Sequence, residues 1–279
     1  MKISIIGGGN MGSALVQGFL RAKVWKPTDI LVCDIDRSKI SSLGRKFKVR
    51  TTSRIKETLN FSSILILAIK PKDMESLLSK LHPHLPPPSR GRMEERGKLF
   101  ITLAAGISTD FLEKRLGKIS VIRVMPNICV AVGEGVCAYS LGRYTRPSDE
   151  KKFLSLFASL GETIKMKESS LNLITAISGS GPAYIFRIIE ILISIAQKDG
   201  LSKKMASRIV SQTVFGSSKM VKELKEKPEI LRAKVTSPGG TTAAALEVLE
   251  KNHLSEIFSN AIKSARKRAK KLGRKRGEK

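Results

Sequence analysis

The chain has 279 residues, which at about 150 residues per domain is enough for roughly two domains. Its 41% hydrophobic content and 22 glycines are ordinary for a globular protein, and exclude a disordered chain, a collagen and a small disulfide scaffold. The net charge of +27 is not ordinary, and points to anionic partners such as nucleotides, nucleic acid or acidic membrane.

In chain order, Ile3-Ser4-Ile5-Ile6 reads as a strand and residues 14–21 as the helix after it. Ile30-Leu31-Val32-Cys33 is a second strand. Residues 64–69 form a fully apolar run, as a strand buried on both faces requires. His82-Pro83-His84-Leu85-Pro86-Pro87-Pro88 marks residues 81–96 as a surface loop without regular structure. Residues 100–103 and 120–124 are further strands. Strands alternating with helices predict an α/β domain over residues 1–166, a parallel sheet with helices on both faces. From Glu168 onward only helical periodicities remain, so residues 167–279 are expected to be all-α. Pro182 starts one helix, which ends near Gly200. Ser202 N-caps the next, running to about Lys225, and after Gly239-Gly240 another follows from Ala243.

No run reaches the roughly 20 apolar residues of a membrane span, since 184–196 is broken by Arg187 and Glu190. Met1 to Ile6 runs straight into glycines without a cleavage-site pattern. Cys33, Cys129 and Cys137 form no C-x-x-C pair, and the three histidines give no metal-ligand spacing. The expectation is a cytoplasmic protein with reduced thiols, no metal and no membrane partner.

Gly7-Gly8-Gly9-Asn10-Met11-Gly12 contains G-x-G-x-x-G directly after a strand and at the opening of a helix. Gly7 allows the tight turn, Gly9 lets the backbone approach a pyrophosphate, and Gly12 permits close helix–strand packing. The amides of Asn10 and Met11 then point at the phosphates from the helix N-terminus. A structural turn that binds nothing is the bland alternative, but the strand–loop–helix–strand context favours a Rossmann-like dinucleotide site. Asp34, just past the second strand, is placed to grip a ribose hydroxyl. Arg37 and Lys39 stand close by and suit a 2′-phosphate, so NADH and NADPH both remain open. Ligands of such sheets bind outside the carboxyl ends of the strands. That brings in Ala68, Ile69, Lys70 and Pro71, then Ala105 and Gly106, then Asn127.

Two segments in the helical half concentrate hydroxyls and glycines where helices begin: Ser178-Gly179-Ser180-Gly181-Pro182-Ala183 and Thr236-Ser237-Pro238-Gly239-Gly240-Thr241-Thr242. Each suits a carboxylate or phosphate, or is simply a capping turn.

These motifs together resemble the pyrroline-5-carboxylate reductases. The resemblance rests on Ile6 to Gly12, Ala68-Ile69-Lys70-Pro71, Ala104-Ala105-Gly106-Ile107-Ser108, Arg123-Val124-Met125-Pro126-Asn127, Val132-Gly133-Glu134-Gly135, and the two helical-half segments in order. It departs at Ile128-Cys129, where the family usually has Thr-Pro, and in the length of the Pro-rich loop. The resemblance implies hydride transfer from NADPH or NADH to the C=N carbon of 1-pyrroline-5-carboxylate, giving L-proline. It implies Thr175 as polar partner of the ring nitrogen. Ser237, Gly239, Gly240, Thr241 and Thr242 become donors to the substrate carboxylate. It also implies an all-α dimerisation domain, hence a homodimer at least, with larger rings of dimers in the family. Ile188, Ile189, Leu192, Ile193 and Ile195 cover too much of one helix for a lone monomer.

The charge is uneven. Residues 263–279 hold 10 basic residues and 1 acidic, the one true cluster. It reads either as a nucleic-acid or membrane contact or as a solvated helix end. Without aromatics for stacking, the second is preferred and nucleic acid is not expected as a partner. A β-hydroxyacid dehydrogenase would need a Lys shortly after Gly181, where Pro182-Ala183-Tyr184-Ile185-Phe186 stand. A basic nucleotide sensor would leave the Thr236–Thr242 segment without a role.

Overall fold

The computed structural model describes residues 1–23, 25–85 and 97–274. The strand β1 (Ile3–Ile6) leads into α1 (Asn10–Arg21), β2 (Ile30–Cys33), α2 (Arg37–Phe47), β3 (Arg50–Thr52), α3 (Ile55–Phe61) and β4 (Ile64–Leu67). Then come α4 (Met74–Leu81), β5 (Leu99–Thr102), α5 (Thr109–Leu116), β6 (Ser120–Pro126), β7 (Gly135–Leu141), α6 (Pro147–Phe157) and β8 (Gly161–Lys165). The eight strands form one sheet in the order β3-β2-β1-β4-β5-β6-β7-β8. Every pairing is parallel except β6–β7, which is antiparallel. The sheet is therefore mostly parallel, and β3, β7 and β8 add to the five strands expected from sequence.

Alternation along the strands builds two cores. Ile3, Ile5, Ile64, Ile66 and Ile101 point to one face, where Leu15 and Phe19 of α1 and Phe153 and Phe157 of α6 cover them. Ile6, Leu65, Leu67 and Phe100 point to the other, against Leu78 of α4 and Leu112 of α5. Burial on both faces is why β2 and β4 are uninterrupted apolar runs and β1 carries only Ser4 as a polar residue.

The expected loop at 81–96 is partly regular. Helix α4 runs to Leu81, and His82–His84 form a 3-10 turn, because Pro83 stands in the first turn where a missing N–H costs nothing. Residues 86–96 of that loop, and 275–279 of the basic tail, lie outside the described residues.

The second half is helical: α7 (Leu171–Ile174), α8 (Gly181–Lys198), α9 (Lys203–Leu224), α10 (Pro228–Lys234), α11 (Thr241–Lys251) and α12 (Leu254–Arg274). Among the described residues no strand follows Lys165. Ser202 caps α9 as expected, its hydroxyl accepting the Met205 N–H at 3.3 Å. A π turn at Thr175–Gly179 joins α7 to α8, so that helix runs unbroken from Glu168 to Lys198. By length and composition this helix is apolar enough to cross a membrane, although the sequence reading broke it at Arg187 and Glu190. Those two pair with each other at 3.2 Å on its surface. By packing, Met1–Ser180 and the residues from Ala265 form one compact unit, and Gly181–Ser264 a second. The composition change at 166/167 falls earlier, directly after β8.

Candidate functional site

Gly7 leaves β1 with φ of +113° and donates its N–H to the Cys33 carbonyl at 2.7 Å. A side chain at Gly7 would run into the Ala68 carbonyl, and one at Gly12 into the carbonyl of Gly7. These two glycines let β1, its loop and α1 close on one another. Gly9 is different, because a Cβ there would meet nothing within 4 Å. Gly9 also occupies the N-cap of α1, so no side chain caps this helix and no acidic residue stands in its first turn. Open space over unsatisfied amides at the positive end of a helix is a fit for the pyrophosphate of a dinucleotide.

The other sequence candidates gather along the same carboxyl edge of the sheet. Asp34 follows β2, and its carboxylate accepts the Gly8 N–H at 2.7 Å. Ala68 follows β4 and donates its N–H to the Ile6 carbonyl at 2.8 Å, and Ala68 and Ile69 stand against Gly7 of the glycine loop, with Lys70 and Pro71 next in the chain. Ala105 and Gly106 follow β5, with Gly106 at φ of +79°. The chain order of strands reverses on either side of β1 and β4, where such sheets place their ligand. A separate depression lined by Leu31, Arg50, Glu57 and Phe61 lies at the amino ends of β2 and β3, the opposite edge.

Asn127, at the end of β6, is buried and largely committed to structure. Its Oδ1 accepts the Val136 N–H, and its Nδ2 donates to Ser178 Oγ, both at 3.3 Å. Ser178 belongs to the π turn, in the segment whose sequence suits either an anion-binding helix start or a capping turn. The segment is instead helical, with the Ser180 N–H on the Thr175 carbonyl at 2.9 Å. A Cβ on Gly179 would come within 2.6 Å of Met125 Cε, so the glycine permits the close approach of β6. Thr175 opens the π turn, half-buried, and its hydroxyl donates to the Leu171 carbonyl at 2.8 Å. π turns of this kind recur at functional sites.

Sequence reasoning missed a network beside this turn. The Glu168 carboxylate accepts from the Thr109 N–H at 2.9 Å, the Thr109 hydroxyl at 3.1 Å and Arg123 Nη1 at 3.2 Å. An arginine inside the apolar strand β6 was the one available signal.

In the second unit, Gly239 has φ of +69°, and the Gly240 N–H closes a turn on the Ser237 carbonyl at 3.1 Å. A Cβ on Gly240 would run into Ser237 Oγ. Gly240 then caps α11 without a side chain, leaving the amides at Thr241 and Thr242 to a ligand or water. Ser237, Gly239 and Thr241 are exposed.

Residues 168–272 match the family described as pyrroline-5-carboxylate reductase dimerisation, and residues 2–90 the family described as NADP oxidoreductase coenzyme F420-dependent. The pyrroline-5-carboxylate reductase of Methanosarcina acetivorans is 36% identical over 275 residues, covering 98% of each chain. Pyrroline-5-carboxylate reductase 1 of Bacillus subtilis is 34% identical over 273 residues, covering 97% of this chain and 89% of its own. The crystal structure of Plasmodium falciparum pyrroline carboxylate reductase with NADP bound is similar at a TM-score of 0.86 and 31% identity, covering 98% of both chains.

Proposed function

The chain belongs to the pyrroline-5-carboxylate reductase family, and from that premise we infer that it reduces 1-pyrroline-5-carboxylate to L-proline with NAD(P)H. The bound cofactor supplies a hydride to the C=N carbon. The protein orients the two reactants and excludes water. The observation that carries the reading is the open, uncapped helix N-terminus at Gly9, set among the segments that follow β2, β4 and β5.

We further propose individual roles. Gly7, Gly9, Asn10, Met11 and Gly12 hold the pyrophosphate, and Asp34 the ribose. Residues 68–71, Ala105, Gly106 and Asn127 border the rest of the cofactor. Ser237, Gly239, Gly240, Thr241 and Thr242 bind the substrate carboxylate through backbone amides and hydroxyls. Thr175 pairs with the ring nitrogen. Its one hydroxyl proton is spent on the Leu171 carbonyl, so its lone pairs accept. It therefore holds the proton on a protonated imine rather than delivering one, which suits a substrate activated by protonation.

The helical half is a dimerisation domain, and the protein is a homodimer or larger oligomer. We propose that the apolar surface of the 168–198 helix is covered by a second copy rather than by lipid; the dimerisation match over the same residues supports this. Assembly into rings of dimers is a further proposal. The exposed basic residues of α12 act as a solvated helix end rather than as a nucleic-acid contact, and the unpaired thiols suit the cytoplasm.

Oxidation of NADH and NADPH, with and without 1-pyrroline-5-carboxylate, tests the activity. Thr175→Ala is expected to lower kcat about 10- to 100-fold, with Thr175→Ser recovering most of it. Absence of turnover with either cofactor, from folded protein, would sink the reductase reading.

A further inference from the structure

Asp34 is held from both sides. Its Oδ2 accepts the Gly8 N–H at 2.7 Å, and its Oδ1 accepts the Asp36 N–H at 2.9 Å. The carboxylate cannot swing away from the end of β2 without stranding an amide of the glycine loop and one of the following turn. An ionised carboxylate has about four lone-pair sites and no proton, so two sites remain to accept from a ligand. The next residue, Ile35, is 87% exposed. An isoleucine is thus held in solvent directly after a fixed acceptor.

The nearby cations are only partly available. Lys39 is paired with Asp36 at 3.4 Å, and Asp36 is itself occupied in capping α2 through the Ser38 and Lys39 amides. Arg54, which follows β3, is paired with Glu57 at 2.8 Å, and Arg37, exposed at the first position of α2, follows two carboxylates in sequence, Asp34 and Asp36.

We propose that Asp34 and Ile35 together seat the adenosine half of the cofactor, Asp34 accepting from the ribose hydroxyls and Ile35 lying against the adenine face, and that this chain therefore prefers NADH to NADPH. The proposal rests on the reductase reading for its nicotinamide cofactor and goes beyond it in choosing between the two forms. A 2′-phosphate replaces a donor hydroxyl by a group of only acceptors, carrying up to two negative charges. It would meet a carboxylate that has nowhere to go. Like charges at hydrogen-bond distance cost more than flexible, solvated arginines return.

Equilibrium titration of the full-length protein with NADH and with NADPH, read by nicotinamide fluorescence, tests this without turnover. NADH is expected to bind at least about tenfold more tightly. Asp34→Ser is expected to weaken NADH, strengthen NADPH and so remove most of that ratio. Ile35→Ser is expected to weaken both by a similar factor, since both carry adenine. Equal or tighter binding of NADPH by the natural chain overturns the proposal, as does an unchanged ratio in folded Asp34→Ser. Should that variant fail to fold, the ratio in the natural chain and the Ile35→Ser result decide. NADH binding with this preference but without reduction of 1-pyrroline-5-carboxylate would sink the reductase reading and leave the cofactor preference standing. Binding of neither nucleotide would overturn both.

Discussion

Arg123 and Glu168 meet at 3.2 Å between strand β6 and the turn that begins the long helix, with the arginine side chain only 8% exposed. Glu168 is 29% exposed and also receives the amide and hydroxyl of Thr109, the first residue of α5. One carboxylate thus binds a strand, a helix start and the root of the segment that carries Thr175.

Removing that carboxylate leaves a nearly buried guanidinium without its counter-ion. Glu168→Ala is expected to destabilise the protein by about 2 kcal/mol, and Arg123→Ala by a similar amount. The double variant should cost clearly less than the sum, since the second deletion removes a charge already stranded. Urea unfolding of the four proteins measures the coupling, and strict additivity would show that the pair does not act as a unit.

The glycine loop offers a sharper separation of structure from binding. Gly12→Ala drives a methyl into the Gly7 carbonyl, so both stability and cofactor affinity should fall. Gly9→Ala places its methyl in open space, so the melting temperature should stay within about 2 °C while nucleotide affinity drops tenfold or more. Thermal melts beside fluorescence titrations distinguish the two. A Gly9→Ala protein that binds nucleotide normally would remove Gly9 from the pyrophosphate site.

Much of this site was legible because its constraints are local. The spacing of Gly7, Gly9 and Gly12 reflects clearances within one strand–loop–helix unit. The runs at 3–6, 30–33 and 64–67 read as strands because burial on both faces removes every polar residue but Ser4. Strands that lack this pressure were missed. Arg50–Thr52 and Gly161–Lys165 are sheet edges, polar and only partly buried, while Gly135–Leu141 is mostly buried but its apolar run is interrupted by Gly135 and Ser140. The π turn has no sequence signature of its own, since Asn127 holds it from 51 residues away. Arg123 and Glu168, 45 residues apart, are invisible to periodicity for the same reason.

The thiols make a chemical test of the core. Burial, with the neighbouring Asp34 charge adding to it, pushes the Cys33 thiol up to about 11, and burial pushes Cys137 up to about 12. A raised value means less thiolate at any given pH, and the thiolate is the nucleophile. At pH 8 iodoacetamide should modify both in the folded protein on the order of a hundredfold more slowly than in urea. Cys129 is less buried, and should be the first to react. Peptide mass spectrometry over a time course gives the order, and rapid labelling of Cys137 would mean that β7 opens readily.

The helical half exposes more apolar surface than a lone chain tolerates. On α8, Phe186 is 52% and Ile195 51% exposed, and on α9 Phe215 is 59% exposed. None of the 18 residues of α8 is buried. A helix so apolar and so uncovered needs a partner, and on the proposed reading that partner is a second copy, which the dimerisation match supports. An arginine in such an interface must be desolvated without a counter-charge, whereas in an isolated chain it costs little. Ile195→Arg and Phe215→Arg are therefore expected to yield monomers at micromolar concentration while keeping their helical circular dichroism. Light scattering after size exclusion reads the mass directly. Lys203→Ala, at the polar start of α9, serves as the control and should leave the oligomer intact. If both arginine variants keep the natural mass, the faces of α8 and α9 are not the contact, and the apolar surface on α11 and α12 becomes the place to look.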